Sequence, residues 1–232
     1  MDDPDIHLIN EEFRSGAVTP EQMDLLLAEG WRHFGTKFYR YSLNIYNDRI
    51  VRVVPLRIRL ADFRPSRSQR RILRRNDDLN CSVGPIEITD DVHQLFASHK
   101  QRFASDVPPS IYTFLSTDPA VVPCPALAVS VMRDEELLAA SFFDVGIDSI
   151  SSIYGIFDPR ETARSLGIFT MLKEIEWAID NGRQYYYPGY AYDGESFYDY
   201  KKRFSALERF DWYGRWVEFT ELAPLDLLLE PE

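Results

Sequence analysis

The chain has 232 residues, 45% of them hydrophobic, enough for one medium-sized domain or two small lobes around a real core. No run approaches the roughly 18 consecutive apolar residues that span a bilayer, and the acidic opening, residues 1–10, lacks the apolar stretch of a signal peptide. A soluble, cytoplasmic protein without a membrane partner is therefore expected. The two cysteines (Cys81 and Cys124) and four histidines (His7, His33, His93 and His99) form no C-x-x-C and no paired ligand spacing. That excludes a disulfide framework and leaves no recognisable zinc site, so no metal is expected.

The formal charge of −11 argues on its face against a nucleic-acid partner. The average hides an asymmetry, because residues 57–75 hold eight arginines against the single acid Asp62. A strongly cationic segment thus sits on an acidic body, either as a solvated helix face or as a phosphate-binding surface.

In chain order, Thr19-Pro20-Glu21-Gln22 reads as an N-cap with proline at the first helical position and glutamine closing a capping box, and Gly30 stops the helix. Aromatic and β-branched residues then predict strands over 31–41 and 49–60, where Leu56, Ile58 and Leu60 alternate with Arg57 and Arg59. Pro55 inside the second run predicts an edge or bulged strand. Ser66-Arg67-Ser68-Gln69 is a second capping box, opening an arginine-rich helix that Asn76-Asp77-Asp78 ends. Residues 80–85 read as a linker. Thr89 caps a helix to about Phe103, and residues 108–115 offer another short one.

The second half has a clearer rhythm. Residues 125–132 and 137–145 flank the charged turn Arg133-Asp134-Glu135-Glu136 and predict a hairpin, with 150–157 as a third strand. A long helix over 165–181 follows, with Ile168, Leu172, Ile175 and Ile179 as its apolar stripe and Gly182 as its stop. A strand at 184–187, a short helix at 196–204 and a strand over 209–219 complete the pattern, before an acidic, leucine-rich tail from Glu221. This order predicts an α+β protein around a mixed sheet, with a small N-terminal α/β lobe (1–82), a main domain (83–220) and a tail (221–232).

By pattern the main domain resembles the N-acetyltransferase (GNAT) fold. Arg164-Ser165-Leu166-Gly167 is similar to the start of that fold's pyrophosphate loop, although Phe169 stands where a small residue belongs. Three stretches are more specific together: Phe63-Arg64-Pro65-Ser66-Arg67-Ser68-Gln69-Arg70-Arg71; Tyr154 to Leu166, containing Phe157-Asp158-Pro159; and Tyr185-Tyr186-Tyr187-Pro188-Gly189-Tyr190 with Tyr200-Lys201. In order and spacing they resemble the arginyl-tRNA-protein transferase family and its bacterial leucyl relatives, over about residues 20 to 217. The resemblance implies transfer of arginine or leucine from aminoacyl-tRNA to the α-amine of proteins beginning with Asp or Glu, a mark for N-degron degradation. Its members usually carry an N-terminal cysteine cluster for zinc or iron-sulfur, whereas this chain has no cysteine before Cys81. Where they tend to have a cysteine, a lysine and a methionine, it has Glu195, Phe197 and Tyr198.

Aminolysis of an activated ester needs an unprotonated amine, an oriented carbonyl and a stabilised oxyanion, and calls for no redox cofactor. On this reading aminoacyl-tRNA is the co-substrate and no zinc or iron-sulfur group is expected. Arg64, Arg67, Arg70 and Arg71 are assigned to tRNA phosphates or the acidic acceptor, with Lys201 and Arg203 as a second basic edge. The turn of Arg164, Ser165 and Gly167, with Tyr154 on the preceding strand, is assigned to the donor's 3′ end. Between Tyr185 and Trp216 lie 13 of the chain's 32 aromatic residues; from these Tyr190, Tyr192 and Tyr200 are candidates for the aminoacyl site, Tyr190 and Tyr200 for the chemistry. Asp158 is either an amine-orienting base or a turn residue. Ser151 and Ser152 have no histidine at a motif-like offset and suggest no nucleophile. Two other readings stay open, a non-catalytic binder of acidic N-termini and an acyl-CoA-dependent N-acyltransferase.

Overall fold

The computed structural model describes residues 7–103 and 106–225. A three-stranded antiparallel sheet forms first, from β1 (Asn10–Arg14), β2 (Arg32–Phe34) and β3 (Lys37–Tyr41), in the order β1-β3-β2. Between β1 and β2 runs α1 (Pro20–Ala28), whose cap Thr19 accepts from the Gln22 amide while Gln22 returns a bond to the Thr19 amide. That reciprocal pair is the capping box expected from the sequence.

The main sheet has nine strands. Its components are β4 (Leu43–Tyr46), β5 (Arg49–Arg59), β6 (Asn80–Pro85), β7 (Ala126–Arg133), β8 (Glu136–Val145), β9 (Ser149–Phe157), β10 (Tyr185–Tyr192), β11 (Leu207–Phe210) and β12 (Trp216–Glu218). The order is β12-β11-β5-β10-β9-β8-β7-β6, with β4 pairing β5. Only β9 and β10 run parallel, the other pairs being antiparallel. This is the expected mixed α+β sheet with flanking helices.

Alternation along the strands divides the core between the two faces. Val129 and Val131 of β7 join Leu166, Phe169, Leu172, Ile175 and Ala178 of α4 (Leu166–Asp180), whereas Ala126 and Ala128 join Val92, Leu95 and Phe96 of α3 (Asp90–His99). Period-two strands thus present one row to each helix.

Several expectations are corrected. Residues 80–85 are not a linker but β6, paired along its whole length with β7. Pro55 lies in an internal strand, between the residues of β5 that pair β4 and those that pair β11, where its missing N–H breaks no ladder bond on that side. Ile179 is exposed; the buried stripe of α4 passes through Phe169, Leu172, Ile175 and Ala178 instead. Residues 100–102, 111–113 and 197–203 form 3-10 turns rather than α-helix. Strand β5, from the segment before residue 82, runs between β10 and β11 of the main sheet. The end of the acidic tail, residues 226–232, lies outside the described residues.

Candidate active site

Strands β9 and β10 pair only at their starts, Ser149–Ser151 against Tyr185–Tyr187, and then part. From Ser152 onward β9 pairs β8 alone, and from Gly189 onward β10 pairs β5 alone. The split is built into the sequence: β10 slips register between Tyr186 and Gly189, and Gly189 adopts φ +99°, open to glycine at little cost.

Two cations reach this opening from outside the sheet. Arg32 of β2 donates to Ser151 Oγ at 2.6 Å, to Tyr187 O at 3.4 Å and to Ser152 O. Lys201, on the 3-10 turn Phe197–Arg203, donates from Nζ to Tyr190 O at 2.9 Å and lies 4.9 Å from the Tyr198 ring centre. Burial, and then the nearby Arg32 charge, push the Lys201 ammonium down to about 7.

The walls are aromatic. Phe114 stacks on Tyr154 with ring centres 3.7 Å apart, Phe34 meets Phe114 edge-on, and Tyr39 and Tyr41 meet Tyr190 edge-on. Beyond them Phe34, Tyr39 and Tyr41, with Arg14, Lys37 and Tyr112, line a groove of about 610 Å³. Beneath the opening, Glu174 of α4 is fully buried and accepts from Tyr186 Oη at 2.6 Å, and burial raises its carboxyl to about 7.

The basic surface forms on a helix packed against α4. Arg64, Arg67, Arg70, Arg71, Arg74 and Arg75 are all exposed, on α2 (Arg67–Arg75) and its leading turn. This helix is fastened to the start of α4, because Asn76 Nδ2 donates to Arg164 O and Arg164 grips the Asp78 carboxylate through both Nη atoms at 2.8 and 2.9 Å. Ser205 accepts from the Arg64 amide and donates to its carbonyl, which brings exposed Arg203 toward the same patch. Arg57 and Arg59, by contrast, face β11 and pair with Glu208.

Other expected residues have different tasks. Asp158 caps the turn Pro159–Arg164 by accepting from the Arg160 amide at 2.8 Å, and the Arg160 guanidinium holds its carboxyl below the usual range. Its oxygens are occupied, which fits the turn reading and not the base. Tyr190 Oη donates to Gly30 O at 2.6 Å, and Tyr192 Oη accepts from Asn44 at 2.7 Å, so both hydroxyls tie strands together. Burial raises the phenols of Tyr190, Tyr192 and Tyr200, so none of them ionises near neutrality. Arg164 braces Asp78 and Glu161 and is not free at the donor turn. Ser165 takes a left-handed conformation (φ 56°) with no side-chain cap, and a Cβ at Gly167 would come within 3.2 Å of Phe157.

Arg32 and Glu174 escaped the sequence reading. The signals were present: a guanidinium between the aromatic residues Trp31 and His33, and an acid inside the apolar stripe of α4. His33, which offers no paired ligand spacing in the sequence, forms a buried triad, Nε2 2.9 Å from Asp144 Oδ2 and Nδ1 2.8 Å from Gly35 O, while Cys124 donates to Asp144 Oδ1 at 3.3 Å. Among the described residues it is the one cluster whose three potential ligand atoms lie within 4.8 Å. The sequence holds only two cysteines, Cys81 and Cys124, short of the set that a cysteine-held zinc or iron-sulfur centre requires.

Comparison with known proteins decides the family. The model of the arginine-tRNA-protein transferase N terminus matches residues 5–71, and that of its C terminus matches residues 90–211. The chain belongs to the arginine-tRNA-protein transferase family. Relatives named aspartate/glutamate leucyltransferase include that of Xanthomonas euvesicatoria pv. vesicatoria, 35% identical over 175 residues, 68% of this chain and 66% of that protein. Those of Marinobacter nauticus (31% over 204 residues, 84% and 81% covered) and Stenotrophomonas maltophilia (33% over 223 residues, 93% and 85%) match more of the length. Among solved structures, the C-terminal domain of a putative lysylphosphatidylglycerol synthetase from Agrobacterium fabrum is 14% identical, covering 65% of this chain and 55% of that one, with TM-score 0.46. A GCN5-related N-acetyltransferase from Kribbella flavida is 12% identical, with coverages of 63% and 49% and TM-score 0.38. Within the described residues no helix is long and apolar enough to cross a membrane.

Proposed function

We propose that this chain moves an aminoacyl group, leucine in preference to arginine, from charged tRNA to the α-amine of proteins that begin with Asp or Glu. The observation that carries the reading is the opening between β9 and β10, walled by Tyr154, Phe114 and Tyr190 and served by Arg32 and Lys201, in a chain whose exposed arginines lie on α2, fastened to the start of α4. The exposed arginines take tRNA phosphates, whose affinity then falls steeply with salt despite the net charge of −11. Leucine is favoured by the names of the relatives and by the aromatic wall of Phe34, Phe114 and Tyr154.

In the reaction the acceptor nitrogen attacks the ester carbonyl, the C–N bond forms, and the ester C–O bond breaks. The proton lost by nitrogen ends on the 3′-oxygen of the tRNA. An α-ammonium titrates near pH 8, so a useful fraction of acceptor is already neutral at physiological pH and the enzyme's main task is to position the two partners. Tyrosine phenols held protonated by burial supply fixed donors or apolar faces rather than bases. No metal or redox cofactor enters this scheme.

The test offers purified protein tRNAs charged with labelled leucine or arginine, together with peptides beginning with Asp, Glu or Ala. Label on the acidic peptides alone, greatest with leucine, supports the reading; no label with either donor refutes it.

A further inference from the structure

Arg32 and Lys201 are neighbouring cations at the opening, and among the described residues neither is hydrogen-bonded to a carboxylate. Arg52, Arg57 and Arg164 each hold a carboxylate, from Asp193, Glu208 and Asp78 respectively. Arg32 and Lys201 hold only neutral oxygens among the described residues: Ser151 Oγ and the carbonyls of Ser152, Tyr187 and Tyr190. Arg32 acts through space on the buried Glu174 carboxyl without bonding it, so these two neighbouring, partly buried cations still offer open charge to an anion.

Gly189 lets both cations approach the backbone of β10. A Cβ built there would lie 3.1 Å from Lys201 Nζ and 3.6 Å from Arg32 Nη2, so the two nitrogens stand within about 7 Å of each other. Two like charges this close repel, and an anion set between them relieves the repulsion. The Tyr198 and Tyr190 rings flank the place, which keeps water sparse and makes charge recognition strong.

We propose that Arg32 and Lys201 together receive the side-chain carboxylate of the acceptor's first residue, an inference that rests on the transfer reading above. The site lies at the parting of β9 and β10, so an acceptor anchored there by its side chain brings its α-amine to the same opening as the donor ester. Phosphates of the tRNA have the exposed arginines of α2. The surface arginines assigned from sequence to the acceptor are thus left to the nucleic acid.

The test measures binding, so that it is independent of transfer. Fluorescent peptides beginning with Asp or with its neutral isostere Asn are titrated into the full chain, as wild type, Lys201→Met and Lys201→Arg, without tRNA. The wild type should prefer Asp at least about tenfold, Lys201→Met should lose most of that preference by weakening Asp alone, and Lys201→Arg should keep part of it. Should Lys201→Met fail to fold by circular dichroism, Arg32→Gln reads the same ratio. A wild type indifferent to Asp against Asn, or a Lys201→Met protein that keeps its preference, overturns the assignment. So does a Lys201→Met protein that loses affinity for a tRNA acceptor stem while binding both peptides as wild type does, which would make the site a phosphate subsite. Preserved peptide discrimination without any transfer would leave this site standing and remove the transfer reading.

Discussion

Replacing Glu174 by Gln isolates the energetics under the candidate site. Glu174 is fully buried; Tyr186 Oη bonds one carboxylate oxygen, and the other has no hydrogen-bond partner. Burial raises its pKa from 4.5 to about 7. Between these values the folded protein holds a proton that the unfolded chain has released, so the Glu174 contribution to stability falls as pH rises through this window. At about 1.4 kcal/mol per pKa unit the carboxylate costs on the order of 3 kcal/mol above pH 7, and nothing below pH 4.5. Buried His99, lowered from 6.5 to about 4, acts in the opposite sense, since its unfolded form binds the extra proton over that range. The wild-type profile alone therefore partly cancels. A difference between wild type and Glu174→Gln removes the His99 part. Urea unfolding at pH 5 and pH 8 should give the two proteins similar stability at pH 5, and an advantage of about 2–3 kcal/mol for Glu174→Gln at pH 8. A difference that stays constant with pH, or a Gln variant less stable than wild type at pH 8, would refute the reasoning.

Three further outcomes follow from the geometry. Changing Arg70, Arg71 and Arg74 to Ala should weaken tRNA binding and flatten its logarithmic salt dependence by about 2 to 3, seen by filter binding at several salt concentrations; an unchanged slope removes these residues from the RNA surface. Tyr190→Phe breaks the bond to Gly30 O and should cost about 1–2 kcal/mol in urea unfolding while leaving kcat within about threefold, whereas a large kcat loss in a stable variant would give the hydroxyl a chemical role. Asp158→Asn should lower stability by about 1 kcal/mol and leave the pH–rate profile of transfer in place, since the side chain caps a turn; loss of the profile's acidic limb would restore Asp158 as the base.

What could be read in the sequence was what is local. Ser66 with Gln69 specified the start of α2, the turn before Glu136 specified the hairpin, and Gly182 ended α4, because each depends on a few neighbouring residues. Strand β6 was hidden by Asn80, Gly84 and Pro85, which read as a linker until β7 supplies their partner. Pro55 pointed to an edge because the interruption in pairing that tolerates it is made by two other strands, β4 and β11. The basic stretch was visible in composition, but its position beside α4 depends on Arg164 and Asn76, which bridge segments about 90 residues apart. Arg32 had no motif of its own; its meaning arises only where β9 and β10 part, more than 100 residues further along the chain.

The central claim is transfer to an acidic N-terminus, and the most direct measurement lets the protein choose its own donor. The protein is given total tRNA charged with all amino acids and a peptide that begins with Asp and contains an internal lysine, and the product is sequenced by mass spectrometry. The account predicts one added residue, leucine ahead of arginine, on the α-amine of Asp and none on the lysine. No addition, or addition that ignores the first residue of the peptide, would contradict it.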